Sequence, residues 1–522
     1  MFHPRRTLRA LLLPLVAGLA LTALPAQTAQ AAATLGNGGF ESDGTGTATP
    51  SGWSTYSAAG QNSASFTESG GHGGSYRLTH WASTAYKVET YQYLSGLTNG
   101  YHTLTAWVRS GGGQNSAYIA LKNCGSSEQR TDLPVSAGSW VRIVTSVNVT
   151  NNQCTISINS DAKAGNWINV DDLTFTSGST GLSVKGSDIS SLAKSEALGG
   201  VYRTSSGTAG DAVTILKNAG MNYARLKVWV NPADGYNNKT RVLAMAKRVK
   251  AAGMKLLVDF HYSDTWADPG KQTKPSAWSG HSYSQLKTDV YNHTYDVLNA
   301  LKAQGTTADM VQVGNEINGG MLWSEGSTDN WSQLAGLLNS GYSAVKAVSS
   351  GTQVALHLAN AGDDATVRWW FDNAKTYGIN HDVIGLSYYG YWHGSLAAAQ
   401  TTLDDVASRY AKPVFIAETA YPFRLDSDDS LTNQIDTTGE LVSGYPAGAA
   451  GQLAWMNAVA NIVEAVPNGR GLGVFYWEAT WTAVSGNGWD PADATSGNGW
   501  ENQALFGYDD KALSSMAWFS HR

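Results

Sequence analysis

Cysteine is almost missing from this chain: Cys124 and Cys154 are the only two in 522 residues. Without a histidine nearby they would make poor zinc chemistry. No cysteine follows the N-terminal apolar segment, which argues against a lipid anchor at that point. Both cysteines flank strand-like segments (117–123 and 155–159), so in an exported protein they are expected to form a disulfide. Charge is also scarce. Only 15% of residues are ionisable acids or bases, and 41 acidic against 35 basic side chains leave a net charge of −6. That excludes the basic footprint of a nucleic-acid binder and predicts a partner that is neutral or tolerates mild negative charge. Past residue 24 no apolar run is long enough to span a bilayer. A glycine-rich phosphate turn is absent after the first strand of the second half, which disfavours an open dinucleotide-binding sheet.

Residues 1–31 read as a signal peptide. Arg5, Arg6 and Arg9 precede an apolar run from Leu11 to Leu24, and Ala29-Gln30-Ala31 has the small-residue form of a cleavage site. A secreted, extracellular protein is expected, with either the general or the twin-arginine export route open. Aromatic residues are plentiful, with 19 Trp and 24 Tyr beside 57 Gly. On a weakly charged chain that excess suits stacking against sugar rings, although more than half of these side chains are expected in the core.

The length predicts two or three domains. Residues 34–176 form a string of short alternating segments punctuated by Gly, Asn and Ser, including 101–109, 141–149 and 167–175. The expectation is an antiparallel β-sandwich. Residues 177–181 (Ser-Gly-Ser-Thr-Gly) form a short flexible joint. From 182 to 522 strands alternate with helices. Candidate strands lie at 182–188, 223–230, 255–260, 310–313, 353–358, 383–387, 413–417 and 471–477, with helices such as 242–252 and 283–304 between them. This pattern specifies an α/β fold, a (β/α)8 barrel with long loops.

Polar or aromatic residues end nearly every candidate strand: Asp188; Arg225 and Trp229; His261, Asp264 and Trp266; Asn315 and Glu316; His357; Tyr388 and Tyr389; Glu418; Trp477 and Glu478. Two glutamates, Glu316 after the fourth strand and Glu418 after the seventh, can face one barrel mouth. A carboxyl pair is the minimum equipment for splitting a glycosidic bond, and a retaining enzyme needs the two about 5 Å apart. Asn315 can bond the sugar 2-hydroxyl. Glu316 is therefore assigned as acid/base, its pKa raised by the second carboxylate. Glu418 is assigned as nucleophile, held ionised by Arg225 and by a hydroxyl from Tyr388 or Tyr389. Glu478 is read as supporting the site from behind or lying at its rim. The blander reading is that each glutamate only caps a strand.

The segment Leu257–Trp278 (LVDFHYSDTWADPGKQTKPSAW) resembles the third-strand signature of glycoside hydrolase family 53, the endo-β-1,4-galactanases among the clan A barrel glycosidases. The likeness continues through Gly186-Ser-Asp-Ile-Ser, Arg225–Pro232, Gly314–Trp323, Ile416–Pro422 and Val474–Glu478, spanning essentially all of 181–522. It implies Glu316 as acid/base and Glu418 as nucleophile, with Asp188, Arg225, His261, Asn315, Tyr388 and Trp477 also in the site. Asp264 is carried as a further substrate contact, and Trp229, Trp266, Trp323 and Trp481 are candidate stacking platforms. Some family members bind calcium between the loops after strands seven and eight. Here that loop offers Asp426, Asp428 and Asn433, with a solvated acidic loop as the alternative. No cofactor is expected for catalysis.

Residues 35–43 and 167–175 resemble the first and last strands of carbohydrate-binding sandwiches, which implies a structural calcium at Glu41 and Asp172. Trp81 and Tyr86 are candidate stacking residues there, with Arg77, His80 and Gln114 as hydrogen-bonding neighbours. The expected partner is a polysaccharide, β-1,4-galactan, and the expected state is a monomer with neither membrane nor nucleic acid. A β-mannanase or β-glucanase of the same clan, and a non-catalytic wall-binding protein, are the competing readings.

Overall fold

The computed structural model describes residues 34–521. The segment 1–31, read from sequence as a signal peptide, lies outside them. Two five-stranded antiparallel sheets make up the N-terminal unit. The first runs in the order Ser54–Tyr56, Tyr86–Ser95, Gln153–Ala162, Ser116–Lys122, Gln129–Asp132, and the second Ser65–Ser69, Tyr76–Trp81, Trp167–Ser177, Gly100–Ser110, Val141–Val149. Period-two alternation sends Ile119, Leu121, Ile156 and Ile158 of the first sheet, and Leu78, Val108 and Val170 of the second, into one buried cluster. Cys124 and Cys154 are bonded to each other, closing a loop with a sequence separation of 30.

Eight parallel strands then close a barrel: Val184–Asp188, Tyr223–Val228, Lys255–Phe260, Met310–Val313, Gln353–Leu358, Val383–Ser387, Val414–Thr419 and Gly471–Tyr476. Both faces of these strands are covered, so they read as near-continuous apolar runs. At the N-terminal end the interior is filled by Val184, Tyr223, Leu257, Met310, Ala355, Val383, Phe415 and Phe475. Two residues further along the second, third, fourth and fifth strands the inward positions become Arg225, Asp259, Gln312 and His357. All four are buried. Apolar packing thus closes one end of the barrel and leaves chemistry to the other.

The joint at 177–181 is not loose. Thr103 Oγ1 donates to the Gly178 carbonyl at 2.9 Å, Thr180 N–H donates to Ser146 Oγ at 3.1 Å, and Thr180 Oγ1 donates to Glu464 Oε1 at 2.6 Å. Beside it, Arg142 of the second sheet reaches both oxygens of Asp404 at 2.8 and 2.7 Å and the Ala465 carbonyl at 2.7 Å. Its backbone exchanges two hydrogen bonds with the Gln400 amide. The flexibility expected from Gly and Ser is overridden by side chains on either side that fix the joint.

Replacing Cys124 and Cys154 by Ala should destabilise the sandwich by about 3–4 kcal/mol, from the lost constraint on a loop of this length. Urea unfolding followed by sandwich tryptophan fluorescence, with and without reductant, checks this.

Candidate active site

Arg225 sits on the barrel axis with no exposed side-chain surface. Its Nη1 donates to Asp188 Oδ2 at 3.0 Å, and its Nη2 donates to Asp259 Oδ2 at 2.9 Å and to Asn315 Oδ1 at 2.8 Å. Glu418 Oε1 lies 2.9 Å from the same Nη2. A guanidinium cannot be deprotonated here, and its planar fork suits several carboxylates at once.

Glu418 reaches this point because the strand register shifts between Ile416 and Thr419, on both flanking strands. Phe415 and Ala417 both face inward, so simple alternation would turn residue 418 outward. The bulge re-aims it. Its Oε2 accepts from the Tyr389 hydroxyl at 3.1 Å. Burial and the Glu418 charge raise the Tyr389 phenol well above its usual range, so it remains a donor.

Glu316 follows Gly314 (φ +88°) and itself holds φ +47°, a left-handed conformation that costs a non-glycine residue of order 1–3 kcal/mol and concentrates at functional sites. Ser387 Oγ donates to Glu316 Oε1 at 2.6 Å. His357 Nε2 lies 2.8 Å from Ser387 Oγ. Since that hydroxyl's proton points at Glu316, the imidazole proton must be on Nε2, which leaves Nδ1 to accept from Gln312 Nε2 at 2.8 Å. Burial, with Arg225 and His261 nearby, lowers His357 well below its usual value and keeps it neutral.

Burial raises both glutamates. Glu316 is pushed up to about 7, with Asp268 and Asp259 adding to burial while Ser387 and Arg225 oppose it. Burial, and not the second carboxylate, leads that shift. Glu418 is also raised by burial, with Arg225 the largest opposing influence. The direct contacts separate the two: Glu418 has a guanidinium and a phenol, whereas Glu316 has a serine hydroxyl. The anion of the pair is best held at Glu418 and the proton at Glu316.

Both carboxyls open into a groove of about 570 Å³ also lined by Asn315, Trp266, Trp477 and Trp481. The Trp477 indole N–H is buried there without a partner, a donor that calls for a ligand or water. Under this wall Lys227 Nζ lies 2.7 Å from Glu478 Oε1 and 4.0 Å from the Trp266 ring centre. It is within 6.0 Å of Trp229, Trp477 and Trp481 as well. One buried ammonium thus holds four indoles in register.

The whole C-terminal unit matches a known pattern: residues 184–519 fit the family model described as Glycosyl hydrolase family 53. The chain belongs to that family. It is 36% identical over 374 residues to the endo-beta-1,4-galactanase of Bacillus subtilis, covering 65% of this chain and 85% of that one. It is 36% identical over 346 residues to an arabinogalactan endo-beta-1,4-galactanase of Thermothelomyces thermophilus, covering 65% and 99%. Among solved structures, the family 53 catalytic domain of Ignisphaera aggregans superposes with a TM-score of 0.62 at 38% identity, over 65% of this chain and 95% of that one. The protein is a glycoside hydrolase.

Within this family 53 barrel the residues singled out from sequence fall into distinct places. Asp188, Arg225, Asn315, Glu316, Glu418, Trp266, Trp477 and Trp481 converge on the groove or on the network beneath it. His261 is buried behind it, with Nε2 3.0 Å from Asp259 and Nδ1 accepting from Ala267 N–H. Trp229 is buried against Lys227. Tyr388 is a correction: its hydroxyl donates to the Gly394 carbonyl, and Tyr389 is the residue on Glu418. Asp264 accepts from Asn231 and Ser276 N–H and shapes its own loop. Trp323 folds back on Gly319, donating to its carbonyl. Glu478, read as lying behind the site or at its rim, is buried behind the groove wall against Lys227 and Ser191.

Asp259, Gln312 and Ser387 were missed. Asp259 and Gln312 are polar residues inside apolar strand runs, and that was their signal. Trp489 and Trp500 also line the groove. They end two copies of Ser-Gly-Asn-Gly-Trp, at 485–489 and 496–500, a repeat that marks a matched pair of loops.

Among the described residues no group of three or more His, Cys, Asp or Glu could hold a metal ion. Glu41 accepts from Tyr76 N–H at 2.7 Å, and Asp172 lies 2.7 Å from His72 Nδ1. Asp426 is held by Arg424, and Asp428 N–H donates to Glu501. Asn433 spends its amide nitrogen on Asp426 O and Ser427 Oγ, leaving only its Oδ1 unpartnered. Protein partners thus engage one oxygen each of Glu41 and Asp172 and both of Asp426, whereas the buried Asn433 Oδ1 has none.

Lys227→Met should leave Glu478 buried and unpaired and cost about 3–5 kcal/mol. The double variant Lys227→Met/Glu478→Gln should recover much of that loss in thermal unfolding.

Proposed function

We propose that the protein is a secreted, retaining endo-β-1,4-galactanase that hydrolyses β-1,4-galactan of the arabinogalactan type found as pectic side chains. The supporting observation is the pair Glu316 and Glu418 in one groove with opposite donor environments. The activities named for the Bacillus and Thermothelomyces relatives favour galactan, and the 1–31 segment favours export. A polysaccharide is the only partner this reading needs, acting on a monomer.

In this mechanism Glu418, ionised beside Arg225, attacks the anomeric carbon from one face. Glu316 gives its proton to the leaving glycosidic oxygen as that bond breaks. Glu316, now anionic, takes a proton from water, whose oxygen attacks the anomeric carbon and releases Glu418. The second amide proton of Asn315 is free to bond the 2-hydroxyl, since Nδ2 spends one on the Ala267 carbonyl. Two carboxyls carry the reaction, and no cofactor enters it.

Glu316→Gln and Glu418→Gln should each lower turnover on galactan by several orders of magnitude with unchanged melting temperature. Near-wild-type turnover in either would remove that residue from its role. Assays on galactan, mannan, cellulose and arabinan test the substrate, and cleavage of mannan with galactan left intact would select the mannanase reading. Proton NMR of the first product should show retained anomeric configuration.

The acid form of Glu316 is lost as pH rises through its raised value, so kcat/KM should fall on the alkaline side near pH 7. The Ser387 hydroxyl stabilises the carboxylate, so Ser387→Ala should move that limb to higher pH.

A further inference from the structure

The open face of the sandwich and its docked edge are different places. On the open face Trp81 is 42% exposed, while His80 and Tyr86, expected beside it, are buried in the core. At the docked edge the barrel is met by Val135, in the loop between the strands Gln129–Asp132 and Val141–Val149. Its N–H donates to the Tyr445 hydroxyl at 3.1 Å, and that hydroxyl donates back to the Val135 carbonyl at 3.4 Å. Among the described residues these are the hydrogen bonds of a phenol that is 3% exposed. The Val135 side chain rests on Gly444 (φ +87°), where a Cβ would come within 2.4 Å of its Cγ1. From the sandwich it is backed by Gly112, where a Cβ would come within 3.1 Å. A glycine on each side lets the two halves close on one valine, and a contact packed this tightly has little room to shift.

Tyr445 belongs to the loop that links the Glu418 strand to the helix Ala449–Glu464. Its contacts run back toward Glu418. The Tyr445 carbonyl accepts from the Tyr421 hydroxyl at 2.5 Å, and Tyr421 stands three residues after Glu418. The Tyr445 ring meets the buried Trp455 edge-on, with centres 5.3 Å apart. Trp455 in turn stacks on Tyr421 at 5.4 Å, lies 5.6 Å from Tyr388, and points its Nε1 at Thr419 Oγ1, 3.4 Å away. A Cβ on Gly390 would come within 2.1 Å of this indole. One ring is therefore wedged between the segment that carries Glu418 and the segment that carries its donor Tyr389.

The Glu418 strand needs such support. Its register slips on both flanking strands at this level, and a bulge interrupts the ladder that would otherwise fix the backbone. The barrel holds Tyr421 through Gln452, which donates to its carbonyl at 2.8 Å, and through Tyr476, which accepts from its N–H at 3.2 Å. The sandwich adds the contact made through the Tyr445 hydroxyl. Close-packed interiors transmit strain, and a misplacement of ~1 Å at a reacting group can cost ~100-fold in rate.

We propose that Val135 and Tyr445 are positioning residues for the barrel's reaction: through them the docked sandwich holds Glu418 and Tyr389 in the place from which Glu418 attacks. The proposal rests on the retaining reading, with Glu418 as nucleophile. Neither residue lines the groove, so the effect reaches the reaction only through Tyr421 and Trp455.

The test separates attack by Glu418 from proton donation by Glu316. The probe is a dinitrophenyl glycoside of β-1,4-galactobiose, with fluorine in place of the 2-hydroxyl on the ring that bears the leaving group. The Glu418 carboxylate attacks the anomeric carbon and forms a glycosyl ester while dinitrophenolate departs with the bonding electrons. That leaving group needs no acid, and the fluorine slows hydrolysis of the ester. Saturating the full chain with the probe yields a limiting rate of inactivation and a dissociation constant. Tyr445→Phe/Val135→Gly should lower the limiting rate about tenfold while the dissociation constant stays within about twofold of wild type. Val135→Thr, which keeps the branched side chain and the N–H, should match wild type. So should Thr180→Val, which opens a bond of the seam away from Tyr445. Melting temperatures show which variants fold; if the double variant does not, Tyr445→Phe alone decides, with an expected drop of about threefold. A folded variant with an unchanged limiting rate, one altered only in its dissociation constant, or an equal drop in Thr180→Val would overturn the proposal. If peptide mass shows no adduct on Glu418 in the wild-type chain, the retaining reading fails and this inference with it. An adduct formed at one rate in every variant sinks this inference alone.

Discussion

Arg225 presents a rigid fork of N–H donors to four barrel strands or their loops: it donates to Asp188 from the first, Asp259 from the third and Asn315 from the fourth, and pairs its charge with Glu418 from the seventh. A lone buried guanidinium would be prohibitively costly, and so would three buried carboxylates without a cation. Each needs the other, and together they pin the strands at the level where reacting atoms must be held to a fraction of an ångström. Removing the cation would do more than unhook one ligand. It would leave several carboxylates facing each other in a site that excludes water.

The barrel separates folding from chemistry along its own axis. Phe415, Phe475, Tyr223 and Met310 close the lower end with side chains that need no partners. Above them the second to fifth strands turn polar side chains inward, hydrogen-bonded into a chain such as Gln312, His357, Ser387, Glu316. The two catalytic candidates both depart from regular geometry, Glu418 by a bulge and Glu316 by a left-handed backbone. Both departures are supported by the regular strands around them, which is where strain can be kept without loss of the fold.

The alternation of strand and helix was legible because fully buried parallel strands read as plain apolar runs. Lys255–Phe260, Gln353–Leu358 and Val383–Ser387 have the same limits in sequence and structure. Glu316 and Glu418 were legible as acids closing such runs. Which tyrosine serves Glu418 was not, because one residue of register decides between Tyr388 and Tyr389, and a bulge on the neighbouring strand sets that register. Asp259, Gln312 and Lys227 stand out as polar residues inside apolar strands, but their roles were not legible because their partners come from distant segments.

The Ser-Gly-Ser-Thr-Gly joint has a consequence of its own. Its composition is that of a tether, yet Thr180 is fastened to Glu464, and Arg142 beside it to Asp404. The junction works as a seam and not as a hinge. Excising either half at residues 177–181 would strip Asp404 of its guanidinium and bare the helix surfaces that now face the sheet. Each half would then carry a wound shaped like the other, so the boundary visible in composition is a boundary of architecture and not of independence.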